Sequence, residues 1–80
     1  MALHSYGDAL IEVSVLSSGR DDSSGWVAEF WDLTPNSRGE FMHIHKDEHG
    51  VICIDLLGRK MEVDLVEWAI SVGKSELADY

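Results

Sequence analysis

Short segments in which apolar and polar residues alternate fill most of this chain and favour a β-sheet with one buried face. In the first such segment Ile11, Val13 and Val15 alternate with polar neighbours. Successive side chains of a strand point to opposite faces, so this alternation gathers the apolar side chains on one face. We predict five strands in all, over residues 9–16, 26–33, 40–46, 51–56 and 60–63.

A helical period replaces the alternation near the C-terminus. Apolar residues recur there every three or four positions, as Leu65, Trp68, Ala69 and Val72. Asp64 is a suitable N-cap, and Glu67 three residues later completes a capping-box-like pair. Gly73 suits the residue that follows a helix end. We therefore predict a helix over residues 65–72 and a short polar tail over 74–80.

The connections between the strands favour hairpins. The polar stretch 17–25 is typical of a long hairpin loop, since it lies between two alternating segments. A three-residue loop that ends in a left-handed Gly50 pairs His45 with Cys53 and keeps polar and apolar faces separate.

The whole chain, 1–80, is predicted to be a single α+β domain, a four- to five-stranded antiparallel β-meander with one C-terminal α-helix packed on one face. Trp26 and Trp68 are assigned to the core. The sheet face beneath the helix is expected to carry Ile11, Val13, Val15, Ala28, Phe30, Met42, Ile44, Ile52, Ile54 and Leu56.

Charge is the strongest signal in the composition. Fifteen acidic residues against six basic ones give a net charge of −9. Such a surface repels phosphate backbones and anionic lipids, so we expect no direct binding to nucleic acid or membrane. The charge either serves solubility alone or steers the protein toward a basic protein partner.

The single cysteine, Cys53, excludes an internal disulfide and favours a reducing compartment. Residues 1–6 lack the basic start and apolar run of a secretory signal. We therefore expect a cytoplasmic protein.

The sheet face away from the helix is the predicted partner-binding surface. Loop lengths predict one cross-strand row of Glu12, Glu29, His45 and Cys53, and a second row of Leu10, Trp31, His43 and Asp55. A tryptophan ringed by ionisable groups is typical of a binding hot spot. In the alternative, Trp31 only stiffens the sheet within a small cluster with Leu10, Val27 and Phe41. The predicted partner-binding residues are Trp31, Glu29, Glu12, His43, His45 and Asp55, with Asp21 and Asp22 from the hairpin loop.

Metal binding and catalysis are weaker alternatives for the same face. His43 and His45 form an H-x-H pair, and Cys53 and Asp55 repeat that spacing on the next strand. The usual zinc-site spacings are absent, so we predict no metal and no cofactor. A histidine–carboxylate pair needs a pocket for catalysis, which a flat sheet face seldom provides, so we predict that the protein is not an enzyme.

The predicted function is that of a small acidic inhibitor that occludes a basic, nucleic-acid-handling protein. An immunity protein of a toxin system and a phage antagonist of a defence complex such as a CRISPR effector both fit this description. The main alternative is a structural or accessory interaction module that forms a homodimer through the exposed face or an edge strand. A metal-binding accessory protein is the third.

Overall fold

The computed structural model describes residues 2–17 and 25–80. These residues form one five-stranded antiparallel sheet and one helix. Strands that follow one another in sequence are neighbours in the sheet, so the predicted α+β meander is confirmed. The elements are β1 Ala2–Tyr6, β2 Ala9–Ser17, β3 Gly25–Asp32, β4 Gly39–Asp47, β5 Ile52–Asp55 and α1 Val63–Leu77.

The helix packs across the central strands β2, β3 and β4. Beneath it the predicted core residues Ile11, Val13, Ala28, Phe30, Met42 and Ile44 are fully buried. Val15 and Leu56 lie half-buried at the margin of this core. Ile52 and Ile54 are an error of the prediction, because they remain 39% and 42% exposed at the edge of the sheet. No helix in the described ranges is both long and apolar enough to cross a membrane.

Strand β1 was not predicted. It pairs with β2 through a tight turn in which Gly7 adopts a left-handed φ of 56°, a conformation that favours glycine. Its helix-facing side chains reach α1, since the rings of His4 and Tyr6 both contact the ring of Trp68. The apolar pattern of the sequence does not predict this strand, because its inward positions are a small residue, a histidine and a tyrosine rather than aliphatic residues.

The predicted strand over residues 60–63 is wrong. A turn at Leu57 and Gly58, both left-handed, leads into a connection without regular secondary structure, and Val63 already begins α1. Alternation alone misled the prediction here, because this segment has no neighbouring strand to pair with.

The helix starts earlier and ends later than predicted. Its N-cap is Glu62, which makes no side-chain capping bond, and Asp64 lies in the first turn, where a carboxylate stabilises the helix dipole. Gly73 lies inside the helix, and the predicted tail is helical as far as Leu77. A Cβ on Gly73 would lie 2.6 Å from Ile44 Cδ1, so the glycine allows the helix to approach the sheet closely.

A β-bulge interrupts the pairing of β3 with β4. Phe30 pairs with Met42 but Trp31 pairs with Glu40, so Phe41 is an extra residue in β4. Phe41 and Met42 are both fully buried. Phe41 therefore does not lie beside Trp31 on the face away from the helix, where the predicted cluster placed it, because the bulge turns two consecutive side chains toward the core.

The two tryptophans assigned to the core differ. Trp68 is half-buried against the core cluster, as predicted. Trp26 is 36% exposed, and its ring packs on that of Tyr80, with centroids 4.5 Å apart. It covers the end of α1 rather than filling the core.

Candidate functional site

The sheet face opposite α1, here called the open face, is built from the alternate residues of all five strands. Its side chains are identified by register, because cross-strand partners share a face. They are Leu3, Ser5, Leu10, Glu12, Ser14, Leu16, Val27, Glu29, Trp31, Glu40, His43, His45, Asp47, Cys53 and Asp55.

The predicted rows across this face are partly right. His45 pairs with Cys53 and His43 with Asp55, as the three-residue loop that ends in a left-handed Gly50 requires. In β2 and β3, however, Glu12 pairs with Trp31 rather than with Glu29.

Glu29 itself lies between Ser14 and His43. At Glu29, the pairings of β3 with β2 and with β4 are both offset by two residues from the predicted register. A two-residue offset changes neighbours but leaves side chains on their predicted faces, since the side-chain period of a strand is two. Phe41 is an exception, because the bulge turns it to the other face.

One part of the open face is apolar and exposed. Trp31 is 37% exposed and lies beside Glu12, whose other neighbour across the sheet is Leu3, 58% exposed. Leu33 continues this surface, since its amide donates to the carbonyl of Leu10 and both side chains are exposed. The predicted alternative, a stiffening cluster of Trp31 with Leu10, Val27 and Phe41, does not form as predicted, because Phe41 belongs to the core.

The carboxylate–histidine cluster, defined here as Glu29, Glu40 and His43, forms the polar part. His43 Nε2 lies 2.8 Å from Glu40 Oε2 and 3.8 Å from Glu29 Oε2. The three side chains are between 22% and 27% exposed, so each is partly shielded from water. The ring of His45 lies edge-on to that of His43, with centroids 6.0 Å apart.

Glu40 is the residue of this cluster that the sequence analysis missed. In a regular strand, residues three apart point to opposite faces, so Glu40 would lie away from His43. The bulge at Phe41 reverses this and turns Glu40 onto the open face. A signal for it exists, because the adjacent apolar pair Phe41-Met42 interrupts an otherwise regular alternation.

The alternative metal set of His43, His45, Cys53 and Asp55 is not assembled. Within residues 2–17 and 25–80, the one group of three or more side chains whose ligand atoms converge is the carboxylate–histidine cluster. Asp55 is exposed, and its Oδ1 accepts a hydrogen bond from the amide of Leu57 at 2.8 Å. Cys53 is exposed and free. Asp21 and Asp22 lie outside the described residues.

The open face has a negative charge that no lysine or arginine of the described strands offsets. Lys46, the one such residue in the described strands, points to the helix side, where its Nζ donates to the carbonyls of Leu77 and Tyr80. Arg38 lies over the ring of Phe41 and donates to Met61 Sδ at 3.6 Å. Arg59 donates to the carbonyl of Arg38. The carboxylates of the open face are therefore left to attract an external cation or cationic surface.

Comparison with protein-family models, with curated proteins and with solved structures found no match for this chain.

Proposed function

We propose that the protein is an acidic binding module whose open face docks onto a basic surface of another protein and occludes it. One observation supports this most. Exposed apolar side chains around Trp31 lie next to the carboxylates of Glu12, Glu29 and Glu40, on a face whose described strands contribute no lysine or arginine.

The apolar part and the acidic part would do different work. Tryptophan is enriched among residues that contribute most to binding, because its large flat side chain loses much water contact when covered. Carboxylates around such an anchor orient a cationic partner and accelerate encounter, an effect that salt weakens. A partner that normally handles nucleic acid would offer a surface built for phosphates, and the carboxylates would occupy those positions.

The setting proposed for this module is that of an inhibitor, either an immunity protein against a toxin or an antagonist of a host defence complex. Both would meet a basic target in the cytoplasm. The exposed thiol of Cys53 fits that compartment, because a reducing environment keeps such a thiol free. Size and net charge support this setting, and no motif does.

The experiment compares two tryptophans of equal exposure. Trp31 on the open face is 37% exposed, and Trp26 on the helix side is 36% exposed. A protein captured by the wild-type chain is purified, and its affinity for wild type, Trp31→Ala and Trp26→Ala is measured at low and high salt. Trp31→Ala should weaken binding by at least about 2 kcal/mol, roughly thirtyfold. Trp26→Ala should bind as wild type does.

The charge component has its own matched pair. Glu12→Gln on the open face and Glu67→Gln on the exposed side of α1 remove the same charge from the chain. Glu12→Gln should slow association and flatten its salt dependence, whereas Glu67→Gln should leave both close to wild type. The captured protein should also lose its nucleic-acid binding when the chain is present. Equal effects of the two glutamate variants, or undiminished binding by Trp31→Ala, would refute docking through the open face.

A homodimer is the second candidate, and the exposed edge strand β5 favours it. Ile52 and Ile54 leave apolar surface beside unpaired backbone groups, which is a common route to strand-to-strand association. Sedimentation equilibrium separates the two functions. A stable dimer that Ile54→Lys dissociates would support the module as a homodimer, and a monomer at all concentrations would exclude it.

A further inference from the structure

The carboxylate–histidine cluster places two carboxylates near one histidine nitrogen, and that nitrogen can form a hydrogen bond with only one of them. His43 Nε2 offers either one proton or one lone pair along a single direction. At 2.8 Å it forms a hydrogen bond with Glu40, but Glu29 at 3.8 Å lies beyond hydrogen-bonding distance. Two carboxylates thus lie close to one nitrogen, which forms a hydrogen bond with only one of them.

A metal ion would serve all three donors at once. Ligand atoms about 2.0–2.1 Å from a tetrahedral Zn²⁺ lie roughly 3.3 Å from one another. The two distances from His43 Nε2, 2.8 Å and 3.8 Å, fall on either side of that value, and all three ligand atoms lie within 4.8 Å of one another. Changes of about half an ångström in each of these two distances would bring His43 Nε2 to the tetrahedral separation from both carboxylates.

The donors and their surroundings also suit such an ion. Imidazole favours zinc and related transition metals, and carboxylates supply the charge that neutralises a dication. Partial burial strengthens that attraction, since charges shielded from water interact through a lower effective dielectric. The ligands come from the central strands β3 and β4 on either side of the bulge, which is a firmer support than a loop.

We propose that His43 Nε2, with one oxygen each from Glu29 and Glu40, binds a single divalent transition-metal ion of the Zn²⁺ type. Three protein ligands leave a further coordination position facing solvent on the open face. This inference does not rest on the docking function, because the ion would bind to the isolated chain.

The test is calorimetric titration of the tag-free, chelator-treated 80-residue chain with ZnCl₂. Wild type should bind one ion per chain. His43→Ala and Glu40→Gln should each weaken Zn²⁺ binding at least about tenfold, a loss that even removal of a supporting outer-shell group often causes. Titration with Co²⁺ should produce visible absorption bands in wild type and not in His43→Ala.

Two variants serve as matched controls. His45→Ala removes the other histidine of the same strand and face, and Cys53→Ser removes its cross-strand partner. Both should bind Zn²⁺ as wild type does, and far-UV circular dichroism confirms that each variant is folded. Glu40→Gln keeps the shape of the side chain, so it decides the matter if His43→Ala is unfolded.

Absence of saturable binding would overturn the proposal, as would wild-type affinity in both His43→Ala and Glu40→Gln. Loss of binding in Cys53→Ser or His45→Ala would assign the ion to other residues and would equally overturn it. Partner affinity measured with and without chelator keeps the two proposals apart. Docking that persists in a chain without a zinc site would reject only the metal, and a zinc site without docking would reject only the proposed function.

Discussion

Glu40 and His43 are three residues apart in one β-strand, yet their side chains meet on the same face, with Glu40 Oε2 2.8 Å from His43 Nε2. A regular strand would place them on opposite faces. The single bulged residue between them, Phe41, is what brings them together. The same irregularity therefore fills the core on one side of the sheet and completes the carboxylate–histidine cluster on the other.

Substitution of Phe41 tests this relationship through stability. Phe41 is fully buried, and its ring packs against Phe30 with centroids 6.1 Å apart. Phe41→Ala should destabilise the fold by about 3–5 kcal/mol, which is much of the stability of a small domain. His43→Ala, two positions away on the open face, removes only a partly exposed hydrogen bond with Glu40 and should cost about 1 kcal/mol or less. Urea denaturation of both variants measures the difference in their free energies of unfolding. Similar midpoints would show that Phe41 does not point into the core.

Alternation was sufficient to predict the meander, because it identifies strands and sorts their side chains without fixing the register. Strands β2 to β5 lie within a residue or two of their predicted bounds. The two-residue offset that separates Glu12 from Glu29 did not move either from the open face. The sequence therefore predicted which side chains share the candidate partner surface, but not which of them are neighbours across the strands.

The features that the sequence did not predict depend on tertiary contacts. Strand β1 is held on the sheet by contacts of its His4 and Tyr6 side chains with Trp68 on the helix. Gly73 was predicted to follow the helix end. It lies inside the helix instead, where it allows α1 to approach Ile44 closely. Glu40 joined the cluster only through a bulge, whose signal is a single break in alternation. Local patterns do not contain these long-range constraints.

The glycine within α1 provides a second prediction. Replacement of glycine by alanine inside a helix normally stabilises it by about 0.5–1 kcal/mol. At Gly73 the new Cβ would lie 2.6 Å from Ile44 Cδ1 and 3.4 Å from Phe30 Cζ. Ile44 is buried with little room to move, so overpacking of about 1–3 kcal/mol should dominate and Gly73→Ala should destabilise the fold.

A double-mutant cycle isolates the cause. Ile44→Val removes the Cδ1 atom that clashes and alone should cost about 0.5–1.5 kcal/mol. Combined with Gly73→Ala, it should cost less than the sum of the two, because the cavity and the new methyl group compensate for one another. Additive free energies of unfolding would show that the helix shifts freely away from the sheet instead.

The limited reach of α1 leads to a third prediction, on a pair of isoleucines that are cross-strand partners. Ile44 in β4 is 1% exposed beneath the helix, whereas Ile54 in β5 is 42% exposed. Ile44→Ala should lower the free energy of unfolding by about 2–5 kcal/mol. Ile54→Ala should lower it by only about 1 kcal/mol, because its side chain already contacts water. Comparable losses in thermal or urea unfolding would mean that β5 is covered in solution, for example by a second copy of the chain.

The last prediction concerns the C-terminal end of α1, which Lys46 of β4 holds in place. Its Nζ donates to the carbonyl oxygens of Leu77 and Tyr80 at 3.1 and 2.9 Å. The Leu77 carbonyl lies at the end of α1, where carbonyls have no partner within the helix, and a cation there also complements the helix dipole. Lys46→Met keeps much of the side-chain length and removes both hydrogen bonds, so it should cost about 1 kcal/mol and increase amide exchange in the last turn. Lys74→Met is the control, since Lys74 lies in that same turn but is exposed, and it should cost only a few tenths of a kcal/mol. Equal exchange rates at the helix end in the two variants would show that the charge matters there and the bridge from β4 does not.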